Sequence, residues 1–147
     1  MSRFPQIILP GKSEEYKIMQ FLVGNEPYLR FAPVNTDTKG FYHYHILDRF
    51  ALETDTKTKT IKIRDFDVSA FVDENYKISG AGACDVYLEE KIAIFGSISA
   101  GYNIGVNVNH LNEMAKLMPD WKFLHNTLYN RRDRDIFPEY KKYILKQ

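Results

Sequence analysis

Two glycine-bearing segments, Gly80-Ala81-Gly82 and the loop 97–105, flank a predicted hairpin, and the second of them feeds a predicted helix. Glycine allows close backbone approach. Loop N–H groups beside a helix start can surround an anion, so this spacing points to phosphate. Ser97, Ser99 and Ala100 lie in that loop. Upstream, His43 and His45 alternate with Tyr42 and Tyr44. On a strand both imidazoles would share one face. A histidine titrates near neutrality and can act as a general base, which makes His43 the one candidate for catalysis. Two histidines on one face could also hold a metal, but no third ligand lies near them, and no metal or other cofactor is expected.

Other patterns carry less chemistry. His125-Asn126-Thr127 resembles half of a two-histidine phosphoesterase signature, and the second half is missing. Gly80-Ala81-Gly82 is too short for a dinucleotide fingerprint, and no helix opens directly on it. A close approach of strands accounts for those glycines equally well. The single Cys84 excludes an internal disulfide and any multi-cysteine zinc site, and reads as a small semi-buried thiol.

Composition sets the frame. The chain has 147 residues, the length of one domain, and is 44% hydrophobic, far from a disordered composition. Its net charge is +1, so there is no bulk electrostatic case for nucleic acid. Residues 131–147 are net +3, whereas residues 33–130 are net −3. No apolar run approaches the roughly 20 residues of a membrane span. Nothing at the start reads as a secretory signal, so an intracellular, cytoplasmic or cytoskeletal protein is expected.

The elements that must position the candidates read as follows. Ser13 caps a predicted helix to Leu22, with Ile18, Phe21 and Leu22 on one face. Tyr28–Phe31 is extended. Residues 36–40 form a turn, and 41–52 read as a long aromatic strand. After a polar turn at 54–59, residues 60–64 alternate as a half-exposed strand. Asp65 or Asp67 caps a predicted helix to Asn75. Strands over 77–83 and 91–96 follow, joined by 84–90. Asn107 or Asn109 caps a helix in which Leu111, Met114, Ala115 and Met118 form an apolar stripe, stopped by Pro119. Residues 121–124 are a final strand. This order predicts an α+β domain with a single mixed sheet and two main helices, over 65–75 and 107–118, packed on it.

Residues 1–32 read as an arm, 33–126 as the domain, and 127–147 as a basic, aromatic arm. Both arms are too apolar to be solvated linkers. Phe4, Tyr28, Phe31, Phe137, Tyr140 and Tyr143 are the expected partner anchors. Arg131, Arg132, Lys141 and Lys142 are expected to face an acidic protein surface.

From about residue 33 to 124 the chain resembles the Janus/Ocnus family, the small phosphohistidine phosphatases. The resemblance rests on Pro33, Asp37 and Gly40. It continues through Tyr42-His43-Tyr44, matched to an aromatic-Lys-Tyr triplet on a strand, and Arg49. Gly80-Ala81-Gly82, the strand 91–96 with the loop 97–101, and Met118-Pro119-Asp120-Trp121 complete it. The resemblance implies a histidine base at the start of the first helix, with a Lys, an Arg and a Ser holding the phosphate. In this alignment the base falls at Asp67 or its neighbours, the Lys at His43 and the Arg at Ala83, or at Cys84 with a shifted gap. Ser97 or Ser99 approximates the serine. An aspartate beside phosphate repels it, and losing an Arg fork removes charge-assisted bonds of about 1.5–3 kcal/mol each. The active site therefore reads as degenerate. The expected function is that of a non-catalytic Janus-like subunit of a larger intracellular assembly, with tubulin or axonemal proteins of a cilium as partners. The alternatives are a phosphohistidine or phospholysine phosphatase using His43, and a phosphate-recognition module without turnover.

Overall fold

The computed structural model describes residues 4–34 and 42–125. A five-stranded sheet is its centre, in the order β2-β1-β5-β6-β9. These strands are β1 (Glu15–Val23), β2 (Glu26–Pro33), β5 (Tyr76–Tyr87), β6 (Ile92–Gly96) and β9 (Lys122–His125). Four of them meet antiparallel, and β6 pairs with β9 in parallel. A parallel pair needs a crossover. Helix α2 (Val108–Leu117) supplies it. Helix α1 (His43–Glu53) follows β2. Two small sheets complete the fold: a hairpin of β3 (Thr58–Ile63) and β4 (Phe66–Phe71), and a short pair of β7 (Ile98–Ser99) and β8 (Ile104–Gly105).

The chain is α+β, with a mixed sheet and two helices, but the expected single sheet is one large sheet and two small ones, and three elements differ from the sequence expectation. Residues 15–23 are a strand, not part of a helix. Residues 43–53 are a helix, not a strand. Residues 66–71 are a strand, not part of a helix over 65–75, so the first helix lies some 20 residues earlier than expected. The strand expected to end at Ala83 continues to Tyr87. The extended segment 28–31, the strands near 60–64, 91–96 and 121–124, and the helix capped by Asn107 all occur.

Successive side chains of a strand point to opposite faces. Met19 and Phe21 of β1 pack with Ile46, Leu47 and Phe50 of α1 and with Val68 of β4. Tyr16 and Ile18 pack instead with Leu111 and Met114 of α2. The sheet is thus covered by α1 and the β3–β4 hairpin on one face and by α2 on the other. Phe21 and Phe50 stack with centroids 4.5 Å apart at the heart of the first layer.

The expected N-terminal arm is therefore integral sheet. No break in pairing falls at residue 33, because β1 is hydrogen-bonded to both β2 and β5. Tyr28 is buried in the first core layer and so is not offered to a partner chain, whereas Phe31 is half-buried and packs on the second. Phe4 packs against the first layer as well. The segment before β1 covers the edge of β2, where Leu29 N donates to Gln6 O at 2.8 Å. Arg30 fixes this arrangement. Its side chain is 7% exposed, meets both Glu53 oxygens (2.7 and 3.0 Å) and donates to Pro5 O and Gln6 O. One guanidinium fork thereby joins β2, the end of α1 and the N-terminal segment.

Candidate functional site

The start of α1 is fixed by a reciprocal cap. Tyr42 is extended, its N–H donates to His45 Nδ1 at 3.0 Å, and its carbonyl accepts from His45 N at 3.0 Å. His45 plays the part that Glu or Gln plays in a capping box. This places His43 in the first turn, with its Nε2 2.9 Å from the Gly82 carbonyl oxygen. A carbonyl only accepts, so the bond holds the proton on Nε2 and leaves the lone pair of the neutral ring on Nδ1. Gly82 itself has no room for a side chain. A Cβ there would collide with the Gly96 carbonyl and lie 2.7 Å from a Val106 methyl. The glycine pair thus marks a close strand approach, as its spacing allowed.

Around His43 stand three other walls. Lys17 comes from β1, paired with Ala83, on the same face as Met19 and Phe21, and its Nζ lies 5.3 Å from the centre of the Tyr42 ring. Phe66, Asp67 and Val68 come from β4, and residues 98–102 from the β7–β8 loop. That loop is tied to the hairpin, because Tyr102 OH donates to Ser69 O at 2.6 Å. Burial, with Asp48 nearby, pushes the Tyr102 phenol well above its usual range, so it remains a neutral donor. Ser99 Oγ accepts from Tyr102 N at 3.3 Å, which shapes the turn. Together these walls enclose an open cavity of about 460 Å³.

Four of the sequence candidates, His43, Asp67, Ser99 and Ala100, line this one cavity. Ser97 does not. It follows β6 with φ at 65°, a left-handed conformation that a non-glycine residue rarely holds. Asp67 is not a helix cap but a strand residue, 68% exposed and 3.7 Å from Lys62 Nζ, so its charge is compensated and screened. Arg49, matched on resemblance to the family's strand arginine, lines a different cavity of about 170 Å³ with Arg30 and Glu53. Arg131, Arg132, Phe137, Tyr140, Lys141, Lys142 and Tyr143 lie outside the described residues.

The sequence reading missed Lys17. Its signal was present: it is the one charged residue in the run Tyr16–Val23. A lysine inside a buried strand needs a reason, and here the reason is the cavity. His43 and His45 do not share a strand face. They lie in one helical turn, and among the described residues no group of three His, Cys, Asp or Glu side chains converges to hold a metal.

A second polar cluster pins the start of α2. Gln20, buried between sheet and helix, donates to Asn107 O at 2.9 Å and accepts from Asn107 N at 2.7 Å. Asn107 caps His110 N, and His110 Nδ1 lies 2.7 Å from Ser79 Oγ. Burial lowers the His110 pKa below its ordinary 6.5, against an opposing pull from Glu113. A histidine whose folded pKa is depressed binds fewer protons than its unfolded form, so stability is lost as pH falls through 6.5 towards the folded value. The unfolding midpoint of the wild type should therefore drop more between pH 7 and pH 5 than that of His110→Gln. Parallel denaturant titrations at the two pH values check this, and equal drops would show that His110 is not the sensor.

No protein-family model matches the chain, and no curated protein matches it. No helix among the described residues is long and apolar enough to cross a membrane.

Proposed function

We propose that the cavity at the start of α1 is a phosphoryl site of Janus-like type. In this reading it binds a phosphorylated side chain and hydrolyses its P–N bond with His43 as base. The observation that carries the reading is the convergence of Lys17, His43 and the 99–101 loop on one open cavity. Lys17 supplies a cation that the reading of the site as degenerate did not include. The positive end of the α1 dipole adds to it, and the first turn of α1 contains no acidic residue. Asp67, compensated by Lys62, is no strong obstacle to an anion.

The structure also changes how the family pattern maps onto the chain. The resemblance implies a histidine at the start of the first helix, and the first helix begins at His43. It implies an aromatic–lysine pair on a strand, and Tyr16-Lys17 on β1 fits that description better than Tyr42-His43, which is helical. The glycine segment still follows the first helix, on β5. The arginine has no counterpart among the residues lining the cavity.

In the reaction, the phosphoryl oxygens face Lys17 and the start of α1. His43 Nδ1 takes a proton from water as its oxygen bonds to phosphorus. The P–N bond breaks, and the leaving nitrogen takes up a proton. The structural-subunit reading rested on the degenerate site and on two arms. The first arm is part of the sheet and the second lies outside the described residues, so only the basic charge of the tail still speaks for a tubulin-like or axonemal partner.

Inorganic phosphate tests the binding step. Titrated into the full-length protein and followed by NMR, it should shift the signals of the α1 start and the 99–101 loop. Lys17→Ala should weaken binding about tenfold or more, the value of one charge-assisted contact. Shifts that are absent, or that survive Lys17→Ala unchanged, would remove the basis of the reading.

A further inference from the structure

A phosphoryl group has one phosphorus and a few oxygens, and the cavity of about 460 Å³ is far larger than that. It falls in the range of about 300–1,000 Å³ that sites for whole organic ligands occupy. The remaining space is not polar. Tyr42, Tyr44, Phe66, Val68, Ile98 and Tyr102 line it. Three of these are large apolar side chains left open to solvent: Tyr42 is 58% exposed, Phe66 47% and Ile98 64%. They come from three separate elements, the cap of α1, the start of β4 and the start of β7, yet they meet at one cavity mouth. Single exposed apolar residues are ordinary. A group of them gathered around a concave site marks binding.

We propose, building on the phosphoryl reading, that this wall selects its substrate: the cavity takes a phosphorylated segment of another protein that carries a large apolar residue beside the phosphorylated one. Lys17 and His43 fix one end of the ligand, so whatever adjoins the phosphoryl group must lie along the apolar wall. A sugar or polyol phosphate would set its hydroxyls against Phe66, Val68 and Ile98 without partners, which is costly. An apolar neighbour buries its own surface and that of the wall. The wall is also held in place beforehand. Tyr42 stacks on Tyr44 with ring planes 13° apart, Val68 is anchored in the core, and Tyr102 ties the β7–β8 loop to β4. Preorganisation of this kind favours selection among ligands.

The test uses the full-length protein and two peptides carrying a non-hydrolysable phosphonate analogue of phosphohistidine. One peptide has Leu and Phe beside the analogue, the other Gly and Asp. Calorimetric titration should show the apolar peptide binding on the order of tenfold more tightly or better. The double variant Phe66→Ala, Ile98→Ala should lose this preference. Both side chains are solvent-exposed, and an unchanged thermal midpoint would verify that the fold is kept. Equal affinity for the two peptides would overturn the proposal. So would phenyl phosphate binding as tightly as the apolar peptide, because the wall would then serve a small aromatic ligand. Inorganic phosphate separates this proposal from the reading it rests on. If phosphate shows no Lys17-dependent binding while the apolar peptide still binds through Phe66 and Ile98, the phosphoryl assignment falls and the apolar selection stands.

Discussion

Gly82→Ala should destabilise the protein by about 3 kcal/mol, the upper end for overpacking a close contact. The added methyl would meet the Gly96 carbonyl and the Val106 side chain, and the Ser97 carbonyl lies 3.1 Å away. Two of these are backbone atoms in the neighbouring strand and its exit loop, so relief requires β5 and β6 to separate. That shift would also move the carbonyl that orients His43, coupling fold to site. Gly11→Ala is the control. A Cβ at Gly11 meets nothing within 4 Å, so that substitution should leave stability unchanged within about 0.5 kcal/mol. Chemical denaturation of the three proteins measures both differences. A Gly82→Ala protein as stable as the wild type would mean that the strands are looser at this point than the structure has them.

The same region shows how much the sequence disclosed. The second half of the chain was legible because each of its signals was local. Asn107 caps, Pro119 stops, and the stripe of Leu111 and Met114 has one solvated and one buried side. In the first half β1 was not legible, because it is buried on both faces. Residues 18–21 are all buried, so apolar residues run consecutively and the pattern of Ile18, Phe21 and Leu22 fits a helix as well as a strand. In residues 43–53 the aromatic and histidine-rich start suggested a strand, while Ile46, Leu47, Phe50 and Ala51 already had helical spacing. Burial of that stripe against β1 overrode propensity.

The candidate site divides along the same line. His43, Asp67, Ser99 and Ala100 were picked from local features or from the resemblance, and they do converge on one cavity. Lys17 was not picked, because its segment was assigned to an arm. Only the long-range pairing of β1 with β5 brings it beside Gly82 and the start of α1. The reading of the site as degenerate rested on Asp67 and on the missing arginine, and was made without Lys17. An alignment beginning at residue 33 could not contain the cation that β1 supplies.

The most direct test of the phosphoryl account is turnover of a phosphohistidine peptide by the full-length protein, with and without His43. His43 is bonded through Nε2 to Gly82, which holds its tautomer, and it stands in the first turn of α1 beside Lys17 in the cavity. A positioned general base contributes about 10²–10⁴-fold to a rate. Release of phosphate by the wild type should therefore exceed the uncatalysed rate. His43→Ala should lose about two to four orders of magnitude of that excess while still binding inorganic phosphate. A wild type that releases no phosphate above the uncatalysed rate, or a His43→Ala protein as fast as the wild type, would contradict the account.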